Sequence, residues 1–266
     1  MNINKKTKQI ILLISLIAIL IVINYSFIDN ALENFFLDYE IVNVERIIDG
    51  DTIVIDNKTS VRLLGINCPE KGEMYSEEAK EFLRELILNK TVKLKFGKEK
   101  YDRYQRVLAY VFVGNKNVNL ELIDRGFANF YFPSGKDKYY NDFKRAWEDC
   151  IKEDINLCEK SENKCVDCII LSNFNFKNQK VVFTNNCDFD CDLTGWNIKD
   201  EGRKNFVFDD FVLKDNEQVK IIVGEGADNS DVLFWSGEDY VWTSSGDTLF
   251  LRDDTGKLVL WESWGY

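Results

Sequence analysis

The sequence has no histidine among its 266 residues. This absence excludes every mechanism in which an imidazole is the general base, the nucleophile or a metal ligand. Proton transfer must therefore use a carboxylate. Proline is also scarce, with Pro69 and Pro133 as the two examples, whereas 14% of the residues are aromatic. This composition excludes a disordered chain, and the length allows two domains with apolar cores.

A strong basic charge is missing as well, since the net charge is −11. Residues 161–266 contain 10 basic and 20 acidic residues, a net charge of −10, and residues 38–160 contain 21 and 23, a net charge of −2. Nucleic-acid binding normally requires a basic surface, so the C-terminal third is not expected to bind DNA. In residues 38–160 a local cluster must supply the charge, for example Lys93, Lys95, Lys98 and Lys100.

The residues suited to metal binding or catalysis lie between positions 49 and 106. Asp49 and Asp51 flank a glycine in the run D-G-D-T, and carboxylate oxygens suit a hard cation such as Ca²⁺. Taken alone, this run also fits an ordinary turn. Arg62 and Arg106 suit bidentate contacts to a phosphate, and Glu70 suits a general base. Together these residues indicate metal-assisted hydrolysis of a phosphodiester.

These residues belong to motifs that occur in a defined order: D-G-D-T, R-L-L-G-I-N-C-P-E, Y-S-E-E-A, D-R-Y-Q-R-V-L-A-Y and R-G-F-A. The motifs and their order resemble the staphylococcal nuclease (thermonuclease) family over about Tyr39 to Leu157. The resemblance implies nuclease activity with Arg62, Glu70 and Arg106 as the catalytic residues.

The same resemblance implies a Ca²⁺ site and substrate contacts. The implied metal ligands are Asp51, Asn67 and Cys68, the last through its backbone carbonyl, and Asp49 can add charge through a bridging water. The implied substrate contacts are Arg103, Tyr104 and Tyr131, although Tyr131 also fits an aromatic residue at the edge of the core.

The chain departs from the family pattern at two places. The family usually has aspartate where this chain has Asn67, and the lysine-rich insertion after P-E is shortened to Lys71–Met74. Because asparagine offers an oxygen without charge, we expect weaker Ca²⁺ binding than in the aspartate form.

The N-terminal 30 residues predict a membrane anchor. Ile10–Ile28 is almost wholly apolar and follows three lysines, and 19 helical residues span about 28 Å, close to the hydrocarbon thickness of a bilayer. Lysines before the span favour a single-pass orientation with the folded domains outside the cytoplasm. The alternative is a signal peptide that is cleaved to release a secreted protein.

Residues 38–158 predict an α+β domain. Alternating and β-branched runs indicate strands, and amphipathic runs indicate helices, with Ser76 as the N-cap of the first. The strands are expected at Glu40–Ile48, Thr52–Ile55, Thr59–Leu64, Thr91–Phe96 and Val107–Val113, and the helices at Ser76–Leu88, Asn119–Arg125 and Tyr139–Glu153. This order suits a five-stranded barrel of the oligonucleotide-binding type, whose loops bring the site residues together at one end.

Six of the seven cysteines lie between positions 150 and 191. Outside the cytoplasm they are expected to form disulfides. The alternatives are free thiols or a structural Zn²⁺ site formed by Cys165, Cys168, Cys187 and Cys191, whose spacing fits four thiolate ligands. Disulfides or a bound zinc ion would stabilise the junction between the two predicted domains. Neither would take part in catalysis.

Residues 165–266 predict an all-β domain, joined by a polar linker at Asp154–Lys164. Eight short strands separated by Gly, Asn and Asp turns suit a β-sandwich. The runs D-L-T-G-W-N-I-K-D and G-D-T-L-F-L-R-D-D-T-G-K-L-V resemble the lamin-tail domain, an immunoglobulin-like sandwich. This resemblance implies interaction or targeting with a partner that the sequence does not identify.

The sequence therefore predicts a membrane-anchored, extracytoplasmic, Ca²⁺-dependent nuclease that acts on DNA and, as a second candidate, on RNA. The alternative is a non-catalytic surface protein whose nuclease-like barrel binds nucleic acid or a partner. The three residues Arg62, Glu70 and Arg106 favour the enzyme, whereas Asn67 and the shortened basic loop favour the alternative.

Overall fold

The computed structural model describes residues 4–25 and 39–265. The chain divides into two compact units, Met1–Glu40 and Ile41–Tyr266. In the first unit, helix α1 comprises Lys5–Ile23, and the Asn4 side chain accepts a hydrogen bond from the backbone N–H of Lys6. No helix in the described ranges is both long and apolar enough to cross a membrane, so the predicted transmembrane segment Ile10–Ile28 is not confirmed. Its last residues, 26–28, lie outside the described ranges, as does the region of the alternative cleavage site.

We define the barrel region as residues 39–160, of which residues 41–160 belong to the second unit. Its elements in chain order are β1 Tyr39–Ile47, β2 Thr52–Ile55, β3 Thr59–Leu63, β4 Gly65–Asn67, α2 Ser76–Ile87, β5 Thr91–Tyr101, β6 Val107–Val113, β7 Lys116–Asn117, α3 Val118–Asp124, β8 Asn129–Tyr131 and α4 Tyr140–Glu153. The strand order β3-β2-β1-β5-β6 closes on itself because β3 also pairs with β6 in parallel. The predicted five-stranded barrel with helices is therefore confirmed.

The short strand pair β4–β8 was not predicted from the sequence. Gly65 lies opposite Tyr131, Ile66 opposite Phe130, and Asn67 opposite Asn129. Strands of three residues are too short to show an alternating pattern, and their pairing joins distant parts of the chain. This pair holds the run that contains Asn67 against the end of the barrel.

The predicted role of Ser76 as an N-cap is wrong. Helix α2 begins at Ser76 itself, and Tyr75 occupies the cap position in a left-handed conformation with φ of 64°. Ala79, Leu83 and Ile87 form the buried face of this helix, as the amphipathic pattern predicts.

A β-sandwich, defined here as residues 161–265, follows the barrel region. Its strands are β9 Ile169–Asn175, β10 Lys180–Asn185, β11 Cys191–Asp192, β12 Asn197–Lys199, β13 Asn205–Val207, β14 Val212–Leu213, β15 Gln218–Val223, β16 Val232–Trp235, β17 Asp247–Arg252 and β18 Leu258–Trp264. In this part of the described chain, the sheets β16-β15-β10-β9 and β13-β12-β17-β18 enclose one apolar core. Val181 and Ile221 of the first sheet and Ile198 and Leu249 of the second lie in that core.

Strand β17 is buried on both faces, since each of its six residues is buried. Leu249 and Leu251 belong to the sandwich core, whereas Phe250 belongs to the core of the barrel region. The Phe250 ring packs edge-on against Trp147 of α4, with 5.4 Å between the ring centroids. The ring of Trp261, in β18, also packs against Trp147, with 6.3 Å between the ring centroids. The barrel and the sandwich therefore share an apolar interface within one unit.

The segment predicted as a polar linker is part of this packed unit. The Ser161 backbone N–H donates to Leu258 O, and the Leu258 N–H donates to Glu159 O. Cys158 and Ser161 are buried. The linker expectation is wrong because these backbone groups pair with β18 rather than with solvent.

The cysteines around the junction form disulfides, as the sequence favours. The pairs are Cys150–Cys158, Cys165–Cys191 and Cys168–Cys187. The sulfurs of Cys165, Cys187 and Cys191 lie close enough together for a metal site, but paired sulfurs do not provide thiolate ligands. The structure thus supports disulfides rather than the alternative Zn²⁺ site.

Candidate active site

Asp51 and Arg62 form a buried ion pair at the end of the barrel. Arg62 lies opposite Thr52 in the β2–β3 register, which brings its side chain next to Asp51. Arg62 Nη2 is 2.9 Å from Asp51 Oδ2, and the two side chains are 8% and 9% exposed. Arg62 Nη1 also donates to the backbone carbonyl of Leu63. These contacts fix the guanidinium in one orientation.

Asn67 and Cys68 complete this cluster from the end of β4. Asn67 Oδ1 accepts a hydrogen bond of 3.0 Å from Arg62 Nη2. The Cys68 backbone N–H donates to Asp51 Oδ2 at 3.0 Å. The predicted residues Asp51, Arg62, Asn67 and Cys68 are thus brought together.

Close packing explains the glycine between the two aspartates. A Cβ atom at Gly50 would lie 2.8 Å from Cys68 Cβ and 2.9 Å from Ala79 Cβ. Side chains larger than hydrogen therefore do not fit at this position. The D-G-D run forms a turn, and the backbone of Gly50 also lies in close contact with Cys68 and Ala79.

Asp49 adds a second carboxylate to the cluster. Its Oδ1 accepts a hydrogen bond of 3.1 Å from the Asp51 backbone N–H. Burial, and next the negative charge of Asp51, raise the pKa of the Asp49 carboxyl. Two carboxylates in a poorly solvated site favour a nearby cation, and the available oxygens suit Ca²⁺. The residues present therefore fit the metal that the sequence predicts.

Cys68 is a free cysteine whose thiol is buried. Burial, and then the negative charge of Asp51, raise the pKa of this thiol well above its usual value. A thiol in this environment stays protonated and is not a nucleophile. Cys68 can contribute to a metal site through its backbone carbonyl, as the sequence analysis expects.

Glu70 lies on the surface beside this cluster. Its carboxylate Oε1 is 2.7 Å from Nε of Arg203, a residue of the sandwich, and the Arg203 and Glu70 side chains are 58% and 49% exposed. Arg62 pairs with Asp51, and Arg106 pairs with Asp102. Each of the three predicted catalytic side chains thus has a different ionic partner in this structure.

Arg103, Tyr104 and Arg106 form a separate cluster around Asp102. Arg106 Nε is 2.7 Å from Asp102 Oδ2, and the backbone N–H groups of Tyr104 and Arg106 donate to Oδ1 of the same carboxylate. Burial would raise the pKa of Asp102, but hydrogen bonds from Arg106 and Tyr104 outweigh it and lower the pKa. The guanidinium carbons of Arg103 and Arg106 lie 4.8 and 5.5 Å from the centre of the exposed Tyr104 ring.

Tyr131 lies on β8 opposite Gly65. Burial, followed by the negative charge of Asp200, raises the pKa of its phenol, and the positive charge of Arg62 opposes this shift. The predicted substrate contact Tyr131 is therefore half-buried between the barrel site and the sandwich.

A segment of the sandwich that the sequence did not predict also lies at this site. We call this segment the 200–204 loop (Asp200–Lys204). Asn67 Nδ2 donates to Gly202 O at 2.8 Å, and Asn129 Nδ2 donates to Glu201 O at 3.1 Å. Next to the loop, Lys199 Nζ is 2.6 Å from Glu73 Oε1. The only sequence signal for this contact was the unusual asparagine at position 67.

A cavity of about 170 Å³ lies between the barrel and the sandwich at this point, and Asn67, Pro69, Asp200 and Arg252 are among its lining residues. Burial, and next the charge of Asp247, raise the pKa of Asp200 to about 7. The candidate site is therefore bounded on one side by a strand and loop of the sandwich.

The closed barrel and the buried carboxylate–arginine cluster define the chain as a hydrolase of the nuclease class. Residues 60–160 match the family described as Staphylococcal nuclease homologue, and residues 153–266 match the Lamin Tail Domain. The chain belongs to the staphylococcal nuclease family. The predicted order of a nuclease domain followed by a lamin-tail domain is confirmed.

Three relatives illustrate the similarity. The chain is 34% identical over 126 residues to a thermonuclease of Staphylococcus intermedius, covering 44% of this chain and 75% of the relative. It is 32% identical over 123 residues to a thermonuclease of Staphylococcus hyicus, covering 43% and 73%. It is 37% identical over 101 residues to an uncharacterized endonuclease of Haemophilus influenzae, covering 36% and 56%.

Proposed function

We propose that this chain is a Ca²⁺-dependent nuclease that hydrolyses phosphodiester bonds of DNA, with RNA as a second candidate substrate. The observation that carries the proposal is the cluster in which Asp51 Oδ2 contacts Arg62 at 2.9 Å and the Cys68 N–H at 3.0 Å. It places carboxylate oxygens and a guanidinium side by side at one end of the barrel. Matches to relatives described as thermonucleases and an endonuclease support the same activity.

The Ca²⁺ dependence that the family resemblance implies fits the donors of this site. Asp49, Asp51, Asn67 Oδ1 and the Cys68 carbonyl would hold the ion. Bound Ca²⁺ would supply positive charge to a phosphate oxygen and to the attacking water.

Glu70 is the proposed general base. Its half-exposed carboxylate is accessible to water, and it would take the proton of a water whose oxygen attacks the phosphorus. The bond from phosphorus to the 5′ oxygen breaks, the leaving oxygen takes a proton from solvent water, and Glu70 returns its proton to solvent. Arg62 and Arg106 stabilise the negative charge of the pentacoordinate phosphate, and Arg106 donates a hydrogen bond to the leaving oxygen.

The contacts of Arg106 are compatible with its proposed role. An arginine has five N–H donors. The pair with Asp102 uses Nε of Arg106, so its terminal nitrogens can reach a phosphate. Tyr104 and Arg103 lie next to Arg106 and are the proposed contacts to the rest of the substrate, with Tyr131 at the side of the sandwich.

We also propose that the protein acts outside the cytoplasm and is held in the cell membrane through the apolar segment Ile10–Ile28, with release by signal cleavage as the alternative. The three disulfides support an oxidising compartment. The lysines before the segment support the outward orientation of the folded unit.

Hydrolysis of DNA by the purified full-length protein, with Ca²⁺ and with a chelator, tests the proposed activity. We expect cleavage that requires Ca²⁺, and we expect Glu70→Gln to lower kcat by about 10²-fold or more, because the amide does not accept the proton of water. Glu81→Gln is the matched control, since Glu81 is an exposed glutamate on α2 that pairs with Arg84. Cleavage at the wild-type rate by Glu70→Gln would remove Glu70 from the mechanism.

A further inference from the structure

The 200–204 loop of the sandwich is attached to the barrel site through two asparagines. Asn67 of β4 and Asn129 of β8 lie opposite each other in the strand register, and each donates its side-chain N–H to a carbonyl of the loop. The two accepting carbonyls belong to the consecutive residues Gly202 and Glu201. A pair of adjacent donors on two strands fixes the position of the loop backbone.

This attachment places Arg203 beside the proposed general base. Arg203 Nε is 2.7 Å from Glu70 Oε1. Arg62, the cation that the sequence predicts next to Glu70, is 8% exposed and is held by Asp51 and Asn67. Arg203, with 58% of its side chain exposed, therefore presents a guanidinium on the solvent side of the candidate site.

The charge of the loop differs from that of the sandwich around it. Residues 161–266 carry a net charge of −10, from 10 basic and 20 acidic residues, yet Lys199, Arg203 and Lys204 lie close together in sequence at the site. Lys199 pairs with Glu73, and Lys204 pairs with Glu238. Arg203 pairs with Glu70 itself, in an ion pair that is open to solvent and therefore weak. A phosphate can replace this contact and gain bidentate hydrogen bonds from the guanidinium.

We propose that Arg203 is a substrate-binding residue which the sandwich contributes to the nuclease site, where its guanidinium binds a phosphate of the nucleic acid next to the scissile bond. This inference rests on the proposed nuclease function. The ion pair with Glu70 holds Arg203 at the site in the absence of substrate, and the bonds from Asn67 and Asn129 hold its loop. The sandwich is then part of the enzyme's substrate-binding surface, although its overall charge is acidic.

Steady-state cleavage of DNA by the full-length protein and its Arg203→Ala and Arg203→Lys variants tests this inference. For Arg203→Ala we expect KM to rise about 10-fold with kcat changed by less than about threefold, as for loss of one phosphate contact. The slope of log(kcat/KM) against log[salt] should become shallower by about 1. Arg203→Lys, which keeps the charge without the planar fork, should recover most of the salt slope and part of the KM.

Lys214→Ala is the matched control. Lys214 forms an ion pair with Asp190 inside the sandwich, and its side chain is 57% exposed, nearly the same as Arg203. The control removes the same charge from the same domain and should leave KM and the salt slope unchanged.

Two results would overturn the inference. One is a KM and a salt slope for Arg203→Ala that equal those of the wild type. The other is a higher kcat at unchanged KM, which would mean that Arg203 masks Glu70 instead of binding substrate. If the wild-type protein does not cleave at all, the proposed function fails, and anisotropy of a labelled DNA oligonucleotide in chelator then decides whether Arg203→Ala weakens binding.

Discussion

Asn67 uses both atoms of its amide to join the barrel to the sandwich. Its Oδ1 accepts from Arg62, and its Nδ2 donates to Gly202 O. A carboxylate can make the first contact but has no hydrogen to donate to a carbonyl. Asparagine at position 67, where the family resemblance implies aspartate, thus makes a contact to the 200–204 loop that a carboxylate does not make. The chain gains a contact between its domains and loses one negative charge at the proposed Ca²⁺ site.

Asn67→Asp should strengthen Ca²⁺ binding and weaken the stability of the fold. The added charge should lower the Ca²⁺ concentration for half-maximal DNA cleavage, because ligand charge strengthens Ca²⁺ binding. The lost donor leaves the Gly202 carbonyl beside a carboxylate and should lower the free energy of unfolding by about 1–3 kcal/mol. A Ca²⁺ titration of activity and urea unfolding of the full-length protein measure the two effects.

Asn129→Ala separates these effects, because it removes the same kind of bond to Glu201 O without adding a charge next to the proposed metal site. This control should be destabilised without a change in the Ca²⁺ midpoint. A midpoint that is unchanged in Asn67→Asp as well would mean that residue 67 is not a ligand, and the metal site would then consist of Asp49 and Asp51.

The structure brings together the predicted site residues that share a short stretch of chain, and their roles stay predictions. Asp51, Arg62 and Asn67 lie in motifs that fold onto one end of the barrel, and the structure brings them together. Arg203 was not predicted because its contact with Glu70 joins two domains. No local pattern encodes such a contact, since it depends on how β12 and the following loop meet the barrel.

At the scale of elements, periodicity predicted the strands that are long enough to show it. In the barrel region, β2 and β6 have the predicted bounds. The strands β4, β8, β11 and β14, of two or three residues each, were missed because no periodicity can be read from so few residues. Strand β17 also differs from an ordinary sandwich strand, because it has no face exposed to solvent.

The disulfides link short elements around the junction of the barrel and the sandwich, and each pairing can be tested. Mass spectrometry of unreduced peptides should find Cys150–Cys158, Cys165–Cys191 and Cys168–Cys187, with Cys68 free. Replacing both Cys165 and Cys191, which are 26 residues apart, by serine should lower the free energy of unfolding by about 3–4 kcal/mol in the chain-entropy model.

Replacing both Cys150 and Cys158, which are 8 residues apart, by serine is the internal comparison. This change should lower the free energy of unfolding by about 2–3 kcal/mol, measured by urea unfolding. Bound zinc in the purified protein, or a different set of peptides, would contradict the assigned pairing.

For the whole molecule, the interface formed by Trp147, Phe250 and Trp261 makes the barrel and the sandwich one compact unit. Large apolar interfaces prevent independent motion of the joined domains, whereas small polar ones permit it. We therefore expect residues 41–265 to unfold in a single cooperative transition, in contrast to the two domains joined by a linker that the sequence suggested.

Phe250→Ala tests this expectation, because the ring is 3% exposed and lies between the two cores. Its loss should lower the free energy of unfolding by about 3–5 kcal/mol and should also lower nuclease activity at elevated temperature. Tyr101→Ala removes an aromatic ring that is 52% exposed and should change stability by less than about 0.5 kcal/mol. Two separate unfolding transitions, of which Phe250→Ala shifts only one, would show that the domains unfold independently.

The position of β17 and β18 in the chain gives this interface a consequence for biosynthesis. The barrel region is translated first, but the rings that cover Trp147 and the loop that reaches Glu70 come from residues translated after it. At typical synthesis rates, the residues between Glu153 and Trp264 take roughly 5–20 s to appear. During that interval the nascent barrel has an uncovered apolar surface, and for about the first half of it the chain also lacks Arg203. The enzyme thus acquires its complete substrate-binding surface only when the sandwich has been made, well after its proposed catalytic residues.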